Sequence, residues 1–320
     1  MHTSKKTIVG VVSFAVVGAV LGLRLHAQGP AKEEISLKGA IDFHVHSAPD
    51  SQTRVIDADD LARLAKSSGM RGMVFKNHHE STASVAYLVR KEVPGIEIFG
   101  GMTMDLSNGG INMEAVENMV NVTGHYGRVI WLPTQDAEND WKQRKGGPHE
   151  TPTFVPVTKD GKVVPAVLTL MDYIAKHPQI VFATGHISAE ENLIVIHEAH
   201  QRGIKKIVAT HPMYSLTHMS VAQMKQAVAD GAFIEFVADS TVSGPQPRVT
   251  FKDMADAIKE IGAKYCLLST NSGAVRNPPA PLHPAAMLEF MTKLHEQGIS
   301  VADIDLMAKT TPALLLDLKP

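Results

Sequence analysis

The sequence predicts an α/β fold, a single-domain (β/α)8 TIM barrel, from three observations: short apolar runs alternate with amphipathic segments, eight such runs occur, and histidines stand at the ends of several of them. The runs expected as strands are Ala40 to Val45, Gly72 to Lys76, Ile96 to Gly100, Arg128 to Leu132, Ile180 to Thr184, Lys206 to Thr210, Phe233 to Phe236 and Tyr265 to Ser269. Between them the helical period places helices at Asp57 to Ser68, Thr82 to Lys91, Met113 to His125, Leu170 to Lys176, Ala189 to Gln201, Val221 to Asp230 and Phe251 to Ile261. Ser188 with Glu191 three positions later is a capping box, and Gly69, Gly203, Gly231 and Gly262 sit where helices end. Helices at Pro284 to Glu296 and Val301 to Met307 follow the last strand.

Successive strands lie about 25 to 35 residues apart, except between the fourth and fifth, where residues 135–168 form a long insertion. It holds Trp141, a polar stretch from Lys142 to Gly147 and a hairpin turn at Asp160-Gly161 flanked by valines. On the C-terminal face of a barrel this insertion is a candidate lid. A doubly wound open sheet is the structural alternative, and no glycine fingerprint after any strand supports it.

Ahead of the barrel, Lys5 and Lys6 precede an apolar run from Ile8 to Leu23 that leads to Leu25-His26-Ala27, ending in a small residue. Residues 1–27 read as a secretory signal peptide, residues 28–38 as a linker and residues 39–320 as the barrel domain, so the protein is expected in the periplasm or secreted. The alternative is a membrane anchor over residues 8–23. The chain carries 31 basic and 33 acidic residues for a formal charge of -2, and no Lys/Arg-rich block appears, so neither a nucleic acid nor an anionic membrane surface is an expected partner. Removing the leader takes Lys5, Lys6 and Arg24 with it and no acid, which leaves the rest mildly acidic. A hydrophobic fraction of 44% excludes disordered, collagen-like and coiled-coil classes. A single cysteine, Cys266, excludes an intrachain disulfide framework and a cysteine-rich zinc site, and its apolar neighbours predict a buried residue. A homo-oligomer is compatible with all of this.

Sixteen histidines in 320 residues are an abundance, but their positions carry the argument. His44 and His46 alternate along the first strand and project to one side. His186 stands just past the fifth strand and His211 just past the sixth, while the second strand ends in Lys76 with His78 and His79 behind it. In a barrel these are positions on the C-terminal rim, where active sites lie. Neutral imidazoles converging on one point favour a divalent metal ion, zinc first, with manganese or iron as alternatives. His125, His149, His177, His197, His200, His218, His283 and His295, on helices or loops, read as surface residues, and Met102 and Met104 as a pocket wall.

In this ordered series, His44 and His46, then His186, then His211, with a C-terminal Thr311-Pro312-Ala313-Leu314-Leu315, the chain resembles the amidohydrolase superfamily of metal-dependent hydrolases, most closely an amidohydrolase-like group of uncharacterised function in which Lys76 and His78 follow the second strand. The resemblance implies a metal held by His44, His46, His186, His211 and the position after the eighth strand, and a small-molecule substrate. Two departures matter. The family has an aspartate after the eighth strand, where this chain has Asn271, which cannot act as a base but can coordinate weakly through its carbonyl or hydrogen-bond a water. No lysine or glutamate ends the fourth strand, which points to one metal ion rather than two.

The chemistry expected is attack of metal-activated water on the carbonyl carbon of an amide, lactone or ester. Catalytic candidates are His211, Lys76 and Asn271. His211 is preferred for moving the proton, ahead of His78, His79, Glu235 and Asp239. Lys76 reads as substrate-facing or proton-donating, as a carboxylated metal ligand, or as a surface lysine. Candidate substrate contacts are His78, Glu235, Arg54 and Arg276, the arginines as clamps for a carboxylate unless they are merely solvated, and Glu235 otherwise as an ion-paired barrel residue. Two other readings stay open: a metal-dependent nonoxidative decarboxylase of an aromatic or unsaturated acid, suggested by Lys76, and a metal-binding barrel impaired by Asn271.

Overall fold

The computed structural model describes residues 1–2, 34–143, 153–242, 248–276, 279 and 281–319. The expected leader or anchor, most of the linker, the middle of the insertion with His149, and parts of the loops around 245 and 278 lie outside the described residues. The strands are β1 (Ile41–Val45), β2 (Gly72–Phe75), β3 (Glu97–Thr103), β4 (Gly127–Trp131), β5 (Thr158–Lys159), β6 (Lys162–Val163), β7 (Val181–Ala183), β8 (Ile207–Ala209), β9 (Ala232–Val237) and β10 (Cys266–Ser269). The helices are α1 (Ala58–Ser67), α2 (Ala83–Glu92), α3 (Met113–Asn121), α4 (Glu138–Gln143), α5 (Pro165–Lys176), α6 (Ala189–Gln201), α7 (Val221–Ala229), α8 (Phe251–Ile261), α9 (Ala285–Glu296), α10 (Val301–Asp305) and α11 (Thr311–Leu315).

Eight parallel strands run in the order β1-β2-β3-β4-β7-β8-β9-β10, each beside its successor, which is the connectivity of a (β/α)8 barrel. The seam between β10 and β1 is closed just above the strands. There Val45 bridges Ser272, the His46 N–H donates to the Ser272 carbonyl at 2.8 Å, and the Asn271 N–H donates to the His44 carbonyl at 2.8 Å. Residues Glu34–Pro320 cluster as one unit.

Alternation along each strand sorts side chains into two cores. Met73, Phe75, Ile98, Ile130, Phe182, Ile234 and Leu268 face outward against the helices, and Ile41, Phe43, Val74, Phe99, Val129, Trp131, Val181, Val208 and Leu267 fill the barrel interior. One strand breaks the alternation. Asp42 to Val45 on β1 stands opposite Met73 to Phe75 on β2, three steps against two, so β1 carries a bulge. The bulge turns both Phe43 and His44 inward: Phe43 joins the apolar floor, and the His44 ring lies 6.1 Å from Trp131. The interior is therefore apolar at the bottom and ionisable at the top, with the bulge at the change.

The bottom is closed by the C-terminal segment. Ala313, Leu315 and Leu316 join the interior cluster, while Asp317 pairs with Lys206 at 2.6 Å and Arg128 at 3.6 Å beside the starts of β8 and β4. Within the insertion, Asp160 and Gly161 both take positive φ, 50° and 72°, at the turn joining β5 to β6, as a tight hairpin requires. Thr158 donates to Glu191 at 3.0 Å, which sets the hairpin on the start of α6. The Ser188–Glu191 capping box forms, and Cys266 is buried, which pushes its thiol up to about 12.

Four expectations are corrected. β3 runs to Thr103, three residues beyond the expected end, since Gly100 and Gly101 continue the ladder with β4. α5 begins at Pro165 rather than Leu170, because proline suits the first helical turn. The last helical stretch continues past α10 through a π-helical turn at Leu306–Thr310 into α11. Met102 and Met104 pack in the core between sheet and helices, not in a pocket wall. No helix among the described residues is long and apolar enough to cross a membrane.

The interior plug predicts that Leu315→Ala, at 1% exposure, destabilises the protein by about 2–5 kcal/mol. Urea denaturation measures this, and an unshifted midpoint would contradict the plug.

Candidate functional site

Five imidazole rings meet at the C-terminal end of the barrel. Their centroids lie 5.3 Å apart for His44–His46, 5.1 Å for His46–His78, 5.7 Å for His78–His186, 4.9 Å for His186–His211 and 5.7 Å for His211–His44, so the five form a closed ring. Each is delivered by a strand end. His44 and His46 come from the end of β1, with His44 turned in by the bulge, and His78 follows β2 at the same parity as the inward Val74 and Lys76. His186 depends on Gly185, which takes φ 68° and would press a Cβ to 2.3 Å from the Leu132 carbonyl, so no other residue makes that turn without strain. His211 itself takes φ 27° and Asn271 φ 53°. Asparagine tolerates that conformation better than most residues, whereas at His211 it stores strain beside the ring.

Behind the ring stand acids. The Glu235 carboxylate accepts from His44 Nδ1 and the His211 backbone N–H, at 3.4 and 3.3 Å. Thr134 donates its hydroxyl to Asp105 and accepts from His78 Nδ1 at 2.8 Å. The Asp140 carboxylate, from α4, lies 3.5 Å from His186 Nδ1. The fourth support is a relay: Arg276 pairs with Asp239, Asp239 accepts from the Asn271 amide nitrogen at 3.4 Å, and the Asn271 carbonyl oxygen accepts from His46 Nε2 at 2.8 Å. Acceptors of this kind fix tautomers, leaving lone pairs on His44 Nε2 and His46 Nδ1. Those two atoms and His211 Nδ1 are buried without a hydrogen-bond partner.

Burial favours the neutral form of four of the rings. Burial holds His44, His46, His78 and His211 well below the ordinary imidazole value, and the positive charge of Lys76 pushes all four the same way. Burial also lifts Glu235 to about 7, opposed by the neighbouring Ser269 hydroxyl and by Lys76. Lys76, 1% exposed, is lowered to about 8 by burial against the pull of Glu235 and Asp105. Its ammonium lies 5.6 Å from the Trp131 ring.

The ring opens on a cavity of about 340 Å³. His46, His78, His186, His211 and Asn271 line it, with Arg54 and Arg276 at its sides. His44, Lys76 and Glu235 are buried and are not among the lining residues, and Lys76, at 1% exposure, is not a surface lysine. The Arg54 side chain is 3% exposed and held by Asp50 at 2.5 Å, so it is not simply solvated. His79 stays outside the ring, 6.3 Å from His78, bonded to Gln52 and Ser107.

Sequence reasoning did not find three of the supports. Asp105, two residues past the end of β3, was open to the same strand-end rule that selects histidines, but Thr134 and Asp140 gave no signal, because their role depends on how the insertion folds back. It also misplaced His283. This histidine is 1% exposed and its Nδ1 lies 3.0 Å from Asp42, whose other oxygen accepts the backbone N–H groups of His44 and Thr270 at 3.1 and 3.0 Å. The pair thus ties the barrel seam from behind.

The donor set suits a borderline divalent metal: neutral imidazoles with unpartnered buried lone pairs, oriented by acids. Among the described residues no set of three or more His, Cys, Asp or Glu groups stands in a ready-made metal-holding arrangement, so the fit is one of donor chemistry.

A family model described as a family of unknown function (DUF6282) matches residues 39–235, a stretch that includes all five ring histidines, Lys76 and Glu235. No curated protein matches. Among solved structures the chain is similar to an organophosphorus hydrolase from Deinococcus radiodurans, with TM-score 0.57, 15% identity, and coverage of 88% of this chain and 93% of that one. It is similar to a dihydroorotase, with TM-score 0.56, 14% identity and coverage of 88% and 83%. It is also similar to a 2,6-dihydroxybenzoate decarboxylase from Rhizobium, with TM-score 0.52, 13% identity and coverage of 88% and 99%. At these identities the likeness is one of fold.

The buried ring predicts acid sensitivity. Four imidazoles with lowered values hold stability that is present above the unfolded value of 6.5 and lost as pH falls below it. Glu235, raised from 4.5 to about 7, works the other way: its contribution is present below 4.5 and lost as pH rises through about 7. Four protons against one make the imidazoles prevail. Urea melts of the metal-stripped protein should lose up to about 4 kcal/mol per pH unit below pH 6, at about 1.4 kcal/mol per net proton. Stability that is flat from pH 7 to 5 would contradict the neutral ring.

Proposed function

Given that this chain belongs to the family of unknown function DUF6282, we propose that it is a metal-dependent hydrolase that opens an amide, lactone or ester of a small molecule. The observation that carries the reading is the closed ring of five imidazoles with buried, unpartnered nitrogens on three of them. The hydrolases among the structural neighbours support it at the level of fold, as does the ordered histidine series that resembles the amidohydrolases. His44, His46 and His186 would hold one divalent ion, most favourably zinc, with His211 and the Asn271 carbonyl within the same ring of groups. Such an ion supplies Lewis acidity to a carbonyl oxygen and makes water a nucleophile near neutral pH.

The remaining work falls to the chain. His211 lines the cavity, is held neutral, and has Nδ1 free of protein partners, so it can take a proton from water and return it to the leaving group. Glu235 lies below the cavity and acts through others: it orients His44 and steadies the His211 backbone. Lys76, also buried, adds its charge to the burial that keeps His44 and His211 unprotonated. Asn271 cannot accept a proton, but a carboxylate stands beside it in Asp239, which accepts from its amide nitrogen at 3.4 Å and also lines the cavity. Arg54 and Arg276 flank the cavity and can fork onto a carboxylate of the substrate. That same feature favours the second reading, a nonoxidative decarboxylase, for which the Rhizobium neighbour offers a parallel of fold. We read the N-terminal pattern as a leader, which places the activity outside the cytoplasm.

Zinc-loaded protein should hydrolyse members of a panel of lactones, esters and amides, and His211→Ala should lower kcat by about 10²–10⁴ while metal content is retained. Release of carbon dioxide from aromatic or unsaturated acids, with no hydrolysis of the panel, would replace this reading by the second.

A further inference from the structure

Beside the histidine cavity lies a second one of about 390 Å³, and the two share a wall formed by Asp239, Ala274 and Arg276. The second cavity differs in kind. Phe251, Phe290, Leu282 and Ala286 supply aromatic and aliphatic walls, and no histidine lines it among the described residues. Three large apolar side chains that remain in contact with solvent also belong to it: Val55 at 47%, Val242 at 48% and Val275 at 59% exposure. Solvent-facing apolar side chains gathered on one cavity mark a place where apolar matter is received. At the junction the Arg276 guanidinium is paired with Asp239, so the polar site ends in a charge pair and the apolar one begins behind it.

We propose that this cavity holds the hydrocarbon part of the substrate whose carbonyl lies among the histidines. The substrate class is then an amphipathic acyl compound: an ester, lactone or amide carrying an apolar chain or ring of several carbons. The inference rests on the hydrolase reading for the identity of the head, and on the three shared lining residues for the adjoining place of the tail. A volume of about 390 Å³ lies within the range of small-molecule sites, roughly 300–1,000 Å³. Each methylene that leaves water for such a cavity should tighten binding up to about fourfold, the equivalent of about 0.8 kcal/mol.

Isothermal titration of the full chain with n-alkanols and n-alkanoates of four to ten carbons separates tail from head. In the wild type, affinity in both series should rise about two- to fourfold per methylene, and alkanoates should exceed alkanols of equal length. Ala286→Trp, which fills the cavity, should abolish the rise, and Val275→Asp, which sets a charge at an exposed position of the lining and so spares the fold, should reduce it. Affinity independent of length, or a rise untouched by both variants, overturns the proposal. So does self-association that Val275→Asp abolishes in the absence of any chain-length effect, because the valines then cover a second copy. Alkanols that gain with length while alkanoates bind no better support the cavity and count against the hydrolase reading of the head, so the two failures are distinguishable.

Discussion

Five imidazoles share one buried ring, and most of what is unusual in this barrel follows from keeping them buried and aimed. A buried nitrogen without a partner costs about 1–3 kcal/mol, and His44, His46 and His211 each carry one. A protein holds that arrangement only if the surrounding structure over-determines it. Here the β1 bulge, the Gly185 turn, the left-handed backbone at His211 and Asn271, and the acids behind four of the rings all act to the same end. The dry floor of Phe43, Trp131 and Val74 contributes as well. It removes water from below, which is why Lys76 and Glu235 both shift toward their neutral forms.

The strand ends were legible in the sequence because two regularities coincide: apolar runs of strand length, and histidines immediately after them. Those regularities are local, and so is the alternation that put His44 and His46 on one side. The bulge was not legible. Alternation alone counts Phe43 and His44 to opposite faces, and only the pairing of β1 with β2 shows an extra residue between them. The acids were hidden for a related reason. Asp140 reaches His186 only because α4 folds back over the mouth, anchored by Asn139 on the carbonyls of His186 and Leu216 at 3.1 and 2.9 Å. His283 looked like a loop residue, because nothing local reveals that Asp42 waits behind β1 for it.

The substitution of asparagine after the last strand reads differently once its neighbours are known. Asn271 is not an isolated loss of a carboxylate. Its amide is oriented by Asp239, which Arg276 holds in turn, so its carbonyl faces His46. The same Asp239 and Arg276 form the wall between the histidine cavity and the apolar one. A change in this relay therefore reaches both the ring and the junction, which couples the handling of the reacting head to that of the rest of the molecule.

The ring of five imidazoles is expected to bind one metal ion. Calorimetric titration of metal-stripped protein with Zn²⁺ measures this, using His197→Ala as a control, since His197 is exposed on α6 and pairs with Asp230 at 3.2 Å. One saturable ion per chain is expected, lost or strongly weakened in His44→Ala and His186→Ala and unchanged in the control. No saturable uptake, or equal uptake in all the variants, would contradict it.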